Sequence, residues 1–472
     1  MKKAGFEKYL MLYVPWLLAL AFKLDPVISY FIAWIGSFCI FYLTMSGWVK
    51  PLPDDRQISE QLMRPIFLIQ IIFAGYSCCT TIFYFFDTLG YQDFHKTSQF
   101  FLVDGTRLEL TARCQRYYCL GHAAFATGVV FFMRYPVKQK YYIETRKIAN
   151  LLLAAAIIAL PVSIIFSRVS GLIQFAFQFN SLSFIAGTLA LAFAIPLRKV
   201  WNTLICLFLY GFNFYQALIS GYKEPIIISV LVLGIFLYPT YKRLVFVTFV
   251  PILIGLFTFL PTYNRIFRQN AWADEVNADE ASQLAFDAAF NRQTASTLGA
   301  DESNWDFLAY RLSEIDMFAS FVKSTPNRID FYKTKLLQQS AIAIVPRVFW
   351  PNKPVTEDLV MERVYDAEVV NRGSTVSAKP AFIVDAYLCD GMPTIFLSMF
   401  IYGAIAQLIS LQTEKLFGGY VLGTALIFSG LFQILWRGLS FEFLINSVFW
   451  SYMSMLVIHR IFVATRILKK IS

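Results

Sequence analysis

Residues 148–166 read IANLLLAAAIIALPVSIIF, nineteen positions without one charged side chain. A helix needs about 20 apolar residues to cross roughly 30 Å of hydrocarbon. Inside a bilayer the backbone N–H and C=O groups find no water, so such a run pairs them internally as a helix. Working outward from this stretch, comparable runs lie near 9–22, 27–48, 66–86, 117–133, 173–197, 201–219, 226–241, 244–261, 393–411, 418–435 and 441–463. Gln174, Gln178 and Asn180 interrupt the run at 173–197, which reads as an interfacial stretch followed by a span. The expectation is an all-α polytopic membrane protein with about 12 transmembrane helices, within a range of roughly 11–14.

Composition agrees. Of 472 residues, 57% are hydrophobic and only 15% charged, against about 45–50% and about 25% in soluble domains. That leaves too little charge to clothe a globule in water. The net charge of +10 invites a nucleic-acid reading, but the charge is partitioned along the chain. Placing the N-terminus in the cytoplasm puts clusters such as Lys50, Arg56 and Arg64, or Arg134, Lys138 and Lys140, inside. The short connections on the other side carry single cations: Lys23, Arg168, Lys223 and Arg437. By the positive-inside rule both termini are cytoplasmic. The basic start and short apolar core at 9–22 have no small-residue cleavage site after them, so this segment reads as an uncleaved anchor. Seven cysteines and three histidines show no metal-ligand spacing, and cysteines in apolar runs behave as small hydrophobes.

This arrangement divides the chain into an N-terminal bundle of about nine spans (1–261), a large external loop (262–392) and a C-terminal bundle of about three spans (393–472). A second external segment covers 87–116. The large loop holds 13 Lys/Arg and 18 Asp/Glu. It is therefore acidic, and the excess positive charge lies elsewhere. Nucleic acid is excluded as a partner on that ground; the lipid bilayer is the expected one. Loops of this length are functional or disordered. Helical spacing at Leu308, Leu312, Ile315, Ala319 and Val322 predicts one helix from Trp305 to Lys323, with Ser303 and Asp306 resembling a capping box. Further helices are predicted at 279–293 and 329–344.

Several motifs carry chemistry. In Ile344-Val-Pro-Arg-Val-Phe-Trp-Pro-Asn-Lys-Pro354, three prolines stiffen an irregular backbone that holds Arg347 and Lys353 beside Phe349 and Trp350. Such cations either meet an anionic headgroup or snorkel beside an aromatic interfacial anchor. Glu314 and Asp316 point about 200° apart on a helix, which favours one carboxylate as a general base over a shared metal. The alternative is a solvated face with Arg311 and Glu314 paired at i, i+3. Lys223-Glu224-Pro225 and Arg437-Gly438, with Glu442 beyond, occupy short turns, where charges face a cavity or simply solvent. His122 reads first as a hydrogen-bonded packing residue. Walker, HExxH and paired CxxC motifs are absent, which argues against familiar ATP-driven pumps and zinc proteases.

The second half, roughly 220–445, resembles the Wzy-like family of oligosaccharide repeat-unit (O-antigen type) polymerases. The resemblance runs through Ser220-Gly-Tyr-Lys-Glu-Pro225, Arg311-Leu-Ser-Glu-Ile-Asp-Met-Phe318, Thr325-Pro326, the Pro346–Pro354 block, Ser374 to Gly391 with Asp385-Ala-Tyr387, and Arg437-Gly438. Lys223 stands where the family usually has arginine, and Asp385 where glutamate is common.

The resemblance implies a glycosyltransferase in the bacterial inner membrane. It would polymerise undecaprenyl-pyrophosphate-linked oligosaccharide, as donor and acceptor, on the outer, periplasmic face. Arg347, Lys353, Lys223, Arg437 and Arg311 would hold pyrophosphate, and Glu314, Asp385 or Glu224 would be the base. No metal or other cofactor is demanded. A chain-length regulator and a flippase are partner proteins it leaves open. A lipid-linked-glycan ligase, or a transporter or flippase of the lipid-linked oligosaccharide, is the alternative.

Overall fold

The computed structural model describes residues 5–143, 148–169, 172–219, 223–271, 277–291, 304–347, 349–373 and 378–471. Each of the twelve apolar runs lies on helix. The first half of the chain forms α1 (Phe6–Leu10), α2 (Val14–Ala21), α3 (Pro26–Met45), α4 (Leu68–Thr88), α5 (Gly105–Phe132), α6 (Ile148–Arg168), α7 (Ile173–Ala194), α8 (Val200–Ile219), α9 (Lys223–Leu237) and α10 (Lys242–Ala271). After these come α11 (Ala278–Phe290), α12 (Ile315–Ser324), α13 (Lys335–Ile344), α14 (Thr356–Asp366), α15 (Phe382–Asp390), α16 (Met392–Leu416), α17 (Val421–Leu431) and α18 (Phe441–Ala464).

Among the described residues, seven helices are long and apolar enough to cross a membrane, or eight if the pair Lys242–Leu256 and Thr258–Ala271, bent by 41°, is one span. This is a membrane protein, and its described helices supply seven or eight full spans where about twelve were expected. The shortfall has physical causes. Helix α2 has 8 residues and α9 has 15, while α17 is largely a π-helix (Val421–Phe428).

Helix α5 is a different case. It runs 28 residues, but it carries Arg107, Glu109, Arg113, Arg116 and His122. It tolerates them because it is the central helix: nineteen of its residues are buried, against α2, α3, α4, α12 and α16. A helix walled by protein need not be apolar all round. It meets α16 at backbone distance, since a Cβ on Gly128 would strike the Phe400 carbonyl and one on Gly403 the Phe125 carbonyl. Small residues permit this close packing in membranes.

Buried polar pairs stitch α3, α4 and α5 together. Gln70 donates to Thr44 at 2.9 Å and lies 3.1 Å from His122 Nε2. Tyr30 meets Thr81 at 2.8 Å, and Thr81 donates to Gln115 at 2.9 Å. His122 is fully buried, edge-on to Phe41, and is a packing residue here.

The two ends of α5 collect different segments. Beyond Phe132, Lys50 donates to the Val130 carbonyl at 2.9 Å. Tyr141–Tyr142 pairs with Lys469–Lys470 in a short ladder. Nearby, buried Arg64 forks onto Asp55 at 2.8 and 2.7 Å and reaches Glu414 at 3.3 Å, with its guanidinium 3.7 Å above the Tyr135 ring. The other end, at Gly105, carries residues 87–104 and most of 304–390.

The segment 262–392 differs from the predicted loop in detail. Helix α10 continues to Ala271, and α11 packs back on it around Tyr263, Phe267, Ala281 and Ala285. The helix predicted at 329–344 begins at Lys335, because the Tyr332 and Lys333 amides instead donate to the Leu388 and Cys389 carbonyls that end α15. Ser303 and Ser374 lie outside the described residues.

Candidate functional site

The charged first third of α5 is the centre of a polar, tyrosine-rich site. The helix predicted from Trp305 to Lys323 is broken: a π-turn covers Phe307–Arg311, and α12 starts afresh at Ile315. The break places Glu314 at the N-cap and Asp316 in the first turn, where the helix dipole favours anions. Each carboxylate has its own tyrosine from α4. Tyr76 donates to Glu314 Oε1 at 3.2 Å, and Tyr84 to Asp316 Oδ1 at 2.6 Å. Arg107 donates to the Tyr84 hydroxyl at 3.0 Å, to Asp87 at 3.0 Å and to the Tyr310 hydroxyl at 3.1 Å. Trp305 donates to the same Asp87 at 3.3 Å.

Two further arginines follow on α5. Arg113 Nε donates to the Tyr117 hydroxyl at 2.9 Å, and Arg116 donates to Ser29 Oγ at 2.8 Å. Tyr117, Tyr387 and Phe318 form an aromatic cluster beside Arg113, with Tyr117 and Tyr387 ring centroids 5.2 Å apart.

Asp385 lies in a second, enclosed arrangement. It is fully buried, and one oxygen accepts from Arg363 at 2.9 Å and from the Phe441 amide at 2.8 Å. Arg363 turns the rest of its fork to Glu442, at 2.9 and 2.7 Å. One buried cation therefore faces two buried carboxylates, and the group is neutral only with a proton added. Burial pushes the Asp385 carboxyl up to about 7, against the pull of Arg363, and the Glu442 charge adds to the rise.

An unfolded aspartate titrates at about 3.9, so the folded state keeps its proton to higher pH than the unfolded chain. The stability from the protonated site is full below about 3.9 and is lost as pH rises through about 7. Melting temperature in detergent is expected to fall across that window, and Asp385→Asn to flatten the slope. An identical slope in the variant would show that another group sets it.

The cations of the proline-rich block separate. Lys353 is only 8% exposed and donates to the Ala343 and Val345 carbonyls at 3.0 and 2.8 Å, closing the C-terminal end of α13 as basic residues commonly do. Burial, with Arg347 nearby, holds its ammonium below the usual lysine range. Arg347 is exposed, with one long hydrogen bond to the Pro351 carbonyl at 3.5 Å. Trp450 of α18 donates to the Ile344 carbonyl at 2.9 Å, docking the block on the bundle. The side chains of Lys223, Glu224, Arg311 and Arg437 lie outside the described residues; their backbones place them at the start of α9, at the end of the π-turn, and at the end of Ile434–Arg437.

The family profile described as "Domain of unknown function (DUF8712)" matches residues 14–470. The chain belongs to the DUF8712 family. No curated protein and no solved structure matches it.

In this DUF8712 chain, sequence reasoning passed over Arg363, Arg107, Arg113 and Arg116. Arg363 had one usable signal: it shares the buried face of α14 with Val360, Met361 and Val364, and a cation in an apolar stripe implies a buried partner. The α5 arginines have no such signal, because the apolar run begins at 117 and hydropathy places them in a loop. Chemically, the α5 rim offers a half-buried carboxylate (Glu314), guanidinium donors and the exposed ring of Tyr310. Aromatic faces and carboxylates suit a sugar, and arginine forks suit phosphate.

Proposed function

We propose that the chain is a membrane glycosyltransferase that polymerises polyprenyl-pyrophosphate-linked oligosaccharide repeats. The reading rests on the resemblance of residues 220–445 and on one observation: Glu314 is half-buried, with Tyr76 on one oxygen, at the start of α12, which packs on α5. Asp385 is wholly enclosed, so Glu314 is the better base. In the reaction an acceptor sugar hydroxyl attacks the anomeric carbon of the donor. Its proton passes to the Glu314 carboxylate, and the C–O bond to pyrophosphate breaks. The polyprenyl pyrophosphate leaves with the electron pair, and the configuration inverts. Asp385 acts at one remove, through Arg363, by holding α14, α15 and α18 together.

In this reading the Gly105 end of α5 faces the periplasm of a bacterial inner membrane and both termini are cytoplasmic. The segments that converge beyond Phe132 are those rich in Lys and Arg, as the positive-inside rule asks. The test uses purified full-length protein in detergent with a lipid-linked oligosaccharide repeat and no nucleotide, the products being resolved by size. A ladder of lengthening lipid-linked glycans is expected. Flux of the same lipid across proteoliposomes without any ladder would replace this reading with a transporter. Transfer only to a different acceptor would make the enzyme a ligase.

A further inference from the structure

We propose that Arg113 and Arg116 of α5 form the binding site for the diphosphate of a polyprenyl-linked substrate. This deepens the glycosyltransferase reading and rests on it for the identity of the lipid. Three other buried or half-buried arginines are held by close carboxylates. Arg64 has Asp55 and Glu414, Arg107 has Asp87, and Arg363 has Asp385 and Glu442, all at 3.3 Å or less.

Arg113 and Arg116 break that pattern. Among the described residues Arg113 forms no ion pair, and its hydrogen bond to Tyr117 uses only Nε. Arg116 is 6% exposed, and its nearest carboxylate, Glu109, is 3.8 Å away with its side chain 45% exposed. That separation is too long for a good hydrogen bond. One guanidinium thus has no paired carboxylate and the other only a distant one, at the edge of the protein interior. Withdrawing charge from water without a close partner is costly, and a bound anion would offset that cost.

The geometry selects the kind of anion. At i and i+3 the two side chains rise from one face of α5, with Cβ atoms about 5–6 Å apart. Each fork can take one phosphate of a linked pair. Ser29 holds Arg116 in place from α3, accepting from it while donating to the Ala19 carbonyl at 2.7 Å. Depth selects the lipid. Past Arg116, α5 continues without a charged residue to Phe132, about 24 Å of helix at 1.5 Å per residue. The arginines therefore lie at the charged end of that apolar length, at the depth of a lipid headgroup, although α5 itself is walled by protein. Tyr117 and Tyr387, both buried, wall the site beside Arg113.

The experiment is calorimetric titration of full-length protein in detergent with farnesyl pyrophosphate, farnesyl monophosphate, inorganic pyrophosphate and phosphatidylglycerol micelles. Farnesyl pyrophosphate is expected to bind, more tightly than the monophosphate and than inorganic pyrophosphate. Arg113→Gln is expected to weaken it by about tenfold or more, close to 1.4 kcal/mol, with an unchanged melting temperature. Arg372→Ala, an exposed arginine paired with Glu362 and Asp366, should bind as the parent does. Arg116→Gln should repeat the loss; if it fails to fold, Arg113→Gln decides alone. Unchanged binding in Arg113→Gln overturns the proposal. Equal competition by phosphatidylglycerol also overturns it, because the pair would then anchor ordinary headgroups.

The two readings fail separately. Farnesyl pyrophosphate binding that depends on Arg113, in a protein that makes no glycan ladder, would keep this site and remove the polymerase. A normal ladder from an Arg113→Gln protein with undiminished binding would do the reverse.

Discussion

Arg363→Met is expected to lower the stability of the folded protein by about 3–5 kcal/mol, the cost of removing one partner from a buried ion pair. The site is severe because two carboxylates depend on the one guanidinium: Asp385 at 2.9 Å and Glu442 at 2.7 Å, all three side chains at 1% exposure or less. Without it, Asp385 and Glu442 face each other across α15 and α18 with no cation between them. The loss is visible as a fall in melting temperature in detergent and as early proteolysis within α14. Removing all three charges separates electrostatics from packing. The triple change Arg363→Met, Asp385→Asn, Glu442→Gln is expected to recover most of the lost stability, since apolar or neutral replacements of whole buried ion clusters are often tolerated. A single variant that melts with the parent would mean that the triad does not hold these helices together.

Glu314→Gln is expected to reduce glycan polymerisation by about 10²–10⁴-fold, the usual contribution of a general base, and to leave the melting temperature in place. The amide still offers Tyr76 an oxygen to donate to, now 3.2 Å from the carboxylate, and keeps the volume of the side chain. It cannot take the proton from the acceptor hydroxyl. Diphosphate binding should be retained, which distinguishes a missing base from a collapsed site. A glycan ladder of normal rate and length in this variant would remove Glu314 from the chemistry and return attention to Glu224.

The positions of the helices were legible because hydropathy is a sum over neighbours along the chain. Each apolar run lies on helix, from Pro26–Met45 to Phe441–Ala464. Helix α5 shows where that rule stops. Its first third was assigned to a loop for its arginines, whereas it is buried by protein and owes the surrounding lipid nothing. The interruption before Ile315 was equally hidden. Apolar spacing runs on unbroken from Leu308 to Val322, and the tyrosines that receive Glu314 and Asp316 come from α4, more than 230 residues away.

Within the candidate site, residue type alone treated Arg347 and Lys353 as equals and chose Asp385 without its partner. Folding turned Lys353 inward onto the end of α13 and left Arg347 exposed. It also brought Arg363 to Asp385 and Glu442 from 22 and 79 positions away. The sequence by itself determined that this chain is a helical membrane protein with an acidic segment between two sets of apolar helices, because burial in lipid is decided by local composition. Only the tertiary structure decided which charges are closely paired and which are not. Coulomb energy depends on distances of a few ångströms between side chains, and no local pattern along the chain encodes them.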